Sequence, residues 1–125
     1  MTRTHHTQPR FQLRLVSGKD VVIGPGKADL LEAIDRTGSI SSASRAMGLS
    51  YKKAWQLIAT MNQHFAEPIV TTSSGGNQHG GAELTTRGKT LLEQYRALQS
   101  RIDPDTAPEA TTLLNLLQPP PDTEQ

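Results

Sequence analysis

The 125-residue sequence contains no cysteine. That excludes a disulfide framework, thiolate metal ligands and a cysteine nucleophile. Aromatic residues make up only 4%, with one tryptophan, Trp55. With 34% hydrophobic residues, the core of a single small domain is modest, and a partner subunit would add stability. No apolar run reaches the roughly 18 residues that a membrane span requires. The opening MTRTHHTQPR lacks the apolar stretch of a secretory signal. A cytoplasmic protein with no membrane partner is the expectation.

Acidic residues are also scarce where it matters. The net charge is only +1, but between Arg36 and Glu83 the one acid is Glu67. From Arg101 onward, five acids (Asp103, Asp105, Glu109, Asp122, Glu124) face one basic residue. Without that tail the chain carries 12 basic and 7 acidic residues, a net of +5. A surface nearly free of carboxylates is compatible with a phosphate backbone. It is equally compatible with a merely polar face, so charge does not decide alone.

The pattern along the chain divides it into short elements. RFQLRLVSGKDVVIG alternates at Phe11, Leu13 and Leu15 and carries a polar turn at Ser17–Asp20, which predicts a β-hairpin. Leu30, Leu31 and Ile34 share a helical face, predicting a helix over 27–37 that stops at Gly38. Ser41 is the expected N-cap of a short second helix ending at Met47, with Ala43 and Met47 inward. Gly48 turns the chain. Ser50 is the expected cap of a third helix over 51–65, with Ala54, Ile58, Met61 and Phe65 as its inner stripe. IVTT and AELT predict a second hairpin around the glycine-rich SSGGNQHGG. A fourth helix spans 86–102. The domain reading is a disordered start (1–9), one folded domain (10–102) and a proline-rich acidic tail (103–125) with room for one short helix over ATTLLNLLQ. Hairpin, helix, helix-turn-helix, hairpin and helix together predict a mainly α fold with two β-hairpins, a winged helix-turn-helix.

In such a motif the start of the second helix enters the major groove. A helical wheel from Tyr51 sets Lys52, Gln56 and Thr60 roughly opposite the inner stripe, with Lys53 nearby in the first turn. Lysines oppose the positive end of the helix dipole, so a pair of them there points to a compensating partner. Lysine reaches guanine acceptors or phosphate, and glutamine pairs with adenine through two hydrogen bonds. A solvated lysine face is the plainer reading, and the surrounding motif argues against it. Trp55 flanks the inner stripe: packing or a seat beneath the wing is its plainer role, direct DNA contact the sharper one. In the wing, Gly75 and Gly76 would let backbone amides approach phosphate, while Asn77, Gln78 and His79 would supply polar tips; a surface hairpin that binds nothing is the plainer reading. Ser41, Arg45 and Ser50 complete the candidate contacts. Leu91, Tyr95, Leu98 and Ile102 form a stripe suited to a dimer interface, an intramolecular core being the other reading.

Catalytic and metal chemistry find little support. GPGKAD has the lysine of a phosphate-binding loop, but that motif requires glycine where Val21 stands and Ser or Thr where Ala28 stands. His5, His6, His64 and His79 have no carboxylate at metal-ligand spacing. No catalytic residue, metal or cofactor is assigned, and the protein is expected not to be an enzyme.

The segments GSISSASRAMGLSYKKAWQLIATMNQ, SSGGNQHGGAELTTRGKTLLEQY and LLEAID resemble the N-terminal domain of molybdate-responsive regulators of the ModE type. More distantly they resemble the LysR-type winged helix. The resemblance covers about 11–117 and is most specific from SYKKAW to LTTRG. It implies that Ser50, Tyr51, Lys52, Lys53 and Gln56 lie on the recognition helix, that 75–81 form the wing, and that the fourth helix joins two copies on one operator. Two features depart from that pattern. The family's molybdate-binding region has no counterpart in this sequence, and the wing carries no lysine or arginine between Pro68 and Ala82. The expectation is a stand-alone dimeric regulator of double-stranded DNA without its own sensor, to which no small-molecule effector binds. The rival readings are an accessory subunit that docks on another regulator or sensor through LLNLL, and a small oxyanion-binding protein.

Overall fold

In the computed structural model, which describes residues 8–73 and 81–118, Pro25 opens the first helix, α1 (Pro25–Thr37). Proline suits this position because a first-turn amide would have no helical partner anyway. The helix therefore starts two residues before the expected Lys27. Its buried surface is also wider than the predicted stripe. Ala28, Leu30, Leu31, Ala33 and Ile34 are all buried, and α1 touches elements on several sides. Those elements are β2 (Asp20–Ile23), α2 (Ile40–Met47), β4 (Gly81–Leu84) and α4 (Thr86–Arg101).

The remaining elements are β1 (Leu15–Ser17), α3 (Tyr51–Gln63), β3 (Val70–Ser73) and α5 (Pro108–Asn115). β1 and β2 form one two-stranded antiparallel sheet, and β3 and β4 form another. This is the mainly helical winged helix-turn-helix with two hairpins that the sequence predicts. The first hairpin is shorter than predicted: regular pairing begins at Leu15, with a register shift between Leu15 and Val16. β1 is exposed along its length, so the alternation at Phe11 and Leu13 does not describe a strand with one buried face. α3 ends at Gln63 rather than Phe65, and α4 at Arg101, with Ile102 as its C-cap.

Among the described residues, Ile23, Leu30, Leu31, Ile34, Ile58, Met61 and Ile69 are the large side chains fully removed from solvent. Each contributes about 1.5–3 kcal/mol of transfer free energy. They come from α1, α3, β2 and the approach to β3, so the core lies between α1 and the helix-turn-helix.

The start of α4 is fixed by close backbone approach. Thr85 caps the helix by accepting from the Gly88 amide at 3.0 Å and donates its hydroxyl to Pro68 O at 2.8 Å. The Thr85 amide donates to Ile69 O at 3.0 Å. A β-carbon on Gly88 would lie 2.1 Å from that same carbonyl oxygen. Further along α4, the Tyr95 hydroxyl donates to Leu13 O at 2.8 Å. Tyr95 is buried within the chain's own core and Leu91 packs against it. Two members of the predicted dimer stripe therefore serve the internal core. Leu98 is half-exposed, and Ile102 lines a depression with Phe11, Ala110 and Leu113.

Two outcomes follow from α4. Gly88→Ala is expected to lose about 1–3 kcal/mol of stability, the cost of overpacking a tight contact, read as a lower midpoint in urea. Burial pushes the Tyr95 phenol above its ordinary range, against a smaller opposing effect of Arg96. The neutral form is therefore favoured in the fold. Its contribution is complete below the ordinary phenol pKa of about 10 and is lost as pH rises beyond it. Tyr95→Phe should flatten this alkaline limb of a Tm–pH profile and cost about 1 kcal/mol at neutral pH through the lost hydrogen bond.

Candidate nucleic-acid interface

The helix-turn-helix is assembled from three local devices. Ser39 caps α2, its hydroxyl accepting from the Ser42 amide at 3.0 Å. This replaces the expected Ser41, which lies one residue inside the helix. Ser39 has the extended backbone an N-cap requires, and its side chain reaches the amide three residues on. Gly48 ends α2 at φ +70°, where a β-carbon would be strained. There the Leu49 amide bonds Ser44 O at 2.9 Å, closing the helix end. Ser50 caps α3 as predicted, accepting from the Lys53 amide at 3.0 Å.

α3 then presents two contrasting faces. Ala54, Ile58 and Met61 are buried, while Lys52 and Gln56 point to solvent. Thr60 is half-buried and donates its hydroxyl to Gln56 O at 3.0 Å. The first turn contains no acid. Lys53 lies further round the helix than Lys52, half-buried and near enough to Lys27 to act on its charge. Partial burial pushes Lys27 below the usual lysine range; Asp20 opposes this and Lys53 adds to it. The Lys27 ammonium also donates to Val21 O. Lys27 had no assigned role in the sequence reading, because its neighbour Lys53 is distant along the chain.

The opposite edge of α3 is aromatic. Tyr51 and Trp55, one turn apart, meet edge to face with centroids 6.2 Å apart and planes at 77°. They line a groove of about 860 Å³ together with Arg45, Thr72 and Ser73. The Arg45 guanidinium is steadied by Ser41 Oγ at 3.0 Å and Ser42 Oγ at 3.3 Å. Trp55 is thus neither core nor remote: it sits beside the Thr72–Ser73 end of β3 in the second hairpin. The wing-tip candidates Gly75, Gly76, Asn77, Gln78 and His79 lie outside the described residues.

The angle between α3 and this hairpin depends on a residue that sequence reasoning missed. Asn62 Oδ1 accepts from the Ile69 amide at 2.8 Å and the Val70 amide at 3.4 Å. Its amide nitrogen donates to Val70 O at 3.5 Å. On the other strand, the Ala82 amide donates to Gly38 O at 3.0 Å. His64, which stands alone in the sequence, pairs with Asp20 at 2.9 Å and ties the end of α3 to the first hairpin. A polar residue just past the inner stripe and shortly before a strand was the available signal for Asn62.

A capped helix with an outward polar face, braced by a second helix and flanked by a hairpin, defines a winged helix-turn-helix domain. Residues 27–89 match the model of the bacterial regulatory helix-turn-helix protein, lysR family. The chain belongs to that family, whose members are DNA-binding transcription regulators. It is 43% identical over 95 residues to the molybdenum transport protein ModE of Azotobacter vinelandii, covering 74% of this chain and 35% of that protein. It is 46% identical over 80 residues to the molybdenum-pterin-binding protein MopB of Rhodobacter capsulatus, covering 64% and 30%. With the DNA-binding transcriptional dual regulator ModE of Escherichia coli K12 the identity is 36% over 91 residues, covering 73% and 35%. The chain spans about a third of the length of these relatives.

Asn62→Ala would leave the Ile69 amide without its partner. The expected loss is about 1–3 kcal/mol, the cost of an unsatisfied buried donor. Faster amide exchange at Ile69 and Val70 than at Ile58 would localise the loss to the junction.

Proposed function

We propose that the chain reads double-stranded DNA as a transcription regulator in the cytoplasm, with α3 as the reading head and two copies on one operator. The observation that carries this is the outward face of α3. Lys52 and Gln56 project from a helix capped by Ser50, in a segment whose one acid is Glu67. Gln56 offers an amide with one donor and one acceptor to an adenine edge. Lys52 supplies a mobile cation to guanine or phosphate. Lys53, near Lys27, adds charge at the flank, where a phosphate backbone would lie. Arg45 occupies the opposite flank.

The proposed dimer rests on Leu98. It is half-exposed beside an apolar groove of about 410 Å³ lined by Leu13, Leu15, Phe65 and Leu91. A second copy would remove this surface from water. Relatives named for molybdenum make molybdenum-linked genes the first place to seek the operator.

Selection of bound fragments from genomic DNA, followed by titration at two salt concentrations, tests the reading. Affinity should fall steeply with salt because phosphate contacts release counterions. Lys53→Ala should weaken all sequences alike and make the salt slope shallower by about one. Gln56→Ala should cost about 1–3 kcal/mol on the best site and relax preference at one base pair. A folded protein in which neither change alters binding would remove α3 as the reading head. Leu98→Glu should sediment as a folded monomer; a persistent dimer would place the interface elsewhere.

A further inference from the structure

The edge of α3 that faces the second hairpin carries an apolar feature that charge-based recognition leaves unused. Tyr51 is 54% exposed and Trp55, the protein's one tryptophan, is 37% exposed. Large aromatic side chains bury the most apolar area per residue, and their exposure on a small domain with so few of them marks a contact surface. Their edge-to-face packing holds both rings against each other. They therefore present a fixed surface rather than two mobile side chains.

Helical geometry places this surface. Around α3 the order runs from the buried stripe through Tyr51, Trp55 and Ala59 to Lys52 and Gln56. Ala59 is exposed as well. An apolar strip of two aromatic rings and a methyl group thus adjoins the polar reading face, on the same wall of the helix. Across the groove stand the Thr72 and Ser73 positions of β3 and the Arg45 guanidinium held by Ser41 and Ser42. In the major groove, the C5-methyl of thymine is the apolar mark among otherwise polar base edges.

We propose that Tyr51, Trp55 and Ala59 form an apolar reader for thymine methyl groups at the hairpin edge of α3, with Arg45 on a phosphate of the same stretch of backbone. This rests on the reading of α3 as the DNA-binding helix and deepens it. Lys52 and Gln56 distinguish bases by hydrogen bonds, whereas this strip distinguishes thymine from the other bases by burial of a methyl.

Replacing thymine by deoxyuridine removes the methyl and leaves every hydrogen-bonding group in place. On the selected operator, single replacements at one or two positions per half-site should weaken the wild-type protein by about fourfold each, the value of one buried methyl group. Trp55→Ala should bind the thymine operator more weakly and be indifferent to deoxyuridine at those positions. Trp55→Phe, which keeps a ring, should retain part of the sensitivity. The emission of the single indole should change on binding the thymine operator. Wild-type protein that binds thymine and fully deoxyuridine operators equally would overturn the inference and leave DNA recognition standing. A deoxyuridine penalty that persists in Trp55→Ala would assign it to duplex shape and overturn the inference too. Failure to bind any duplex would overturn both readings.

Discussion

The structure depends on the burial of α1 along most of its circumference. Its five buried residues face α2, β2, β4 and α4, so one helix organises both hairpins and the helix-turn-helix. Its exposed side carries a narrow strip of charge at Asp29, Glu32, Asp35 and Arg36. Arg96 of α4 closes over part of this strip, bonding Asp29 at 2.7 Å and Glu32 at 2.6 Å. The carboxylates are more than half exposed, so each pair contributes little to stability, under about 1 kcal/mol. Their effect is on orientation and charge distribution. Carboxylates of α1 are engaged with α4, while the first turn of α3 carries none.

From that central helix the outward face of α3 is positioned by backbone groups rather than by side-chain packing alone. Gly38 O, at the end of α1, receives the Ala82 amide of β4. Asn62, near the end of α3, receives the amides at the start of β3. The second hairpin is therefore held at both strands, one to α1 and one to α3. The groove that contains Tyr51, Trp55 and Arg45 inherits its width from these two attachments. At the far end of α3, the His64–Asp20 pair fixes the helix against the first hairpin. Lys53 and Lys27 lie on that side. α3 thus has a cationic flank toward one hairpin and an aromatic flank toward the other.

Much of this is legible in the sequence alone. The 3.6-residue spacing of Ala54, Ile58 and Met61 marked the inner face of α3, and its complement marked Lys52 and Gln56. Gly48 and Ser50 announced a tight turn and a cap, because backbone angle and cap chemistry act over a few residues. The same locality explains the one misplaced cap. Ser39 and Ser41 have the same chemistry, and only the entering backbone angle separates them. The stripe on α4 shows a deeper ambiguity. Its spacing revealed an apolar face but not what covers it. Tyr95 and Leu91 turn toward Leu13 and the core, and Leu98 remains outside.

Local rules of periodicity, capping and turn chemistry were enough to specify the order of elements, the winged helix-turn-helix and the outward residues of α3. They could not specify partners separated by long stretches of chain. The meeting of His64 with Asp20 and of Arg96 with Asp29 and Glu32, and the electrostatic influence of Lys53 on Lys27, required tertiary packing to bring those segments together. The role of Gly88 is of the same kind: the residue that excludes its side chain, Ile69, lies just before β3, far back along the chain. Trp55 could be placed beside the inner stripe from its spacing, but whether it was core or surface depended on how far the second hairpin closes over α3. Asn62 and Gly38 set that distance through hydrogen bonds to strands that follow later in the chain.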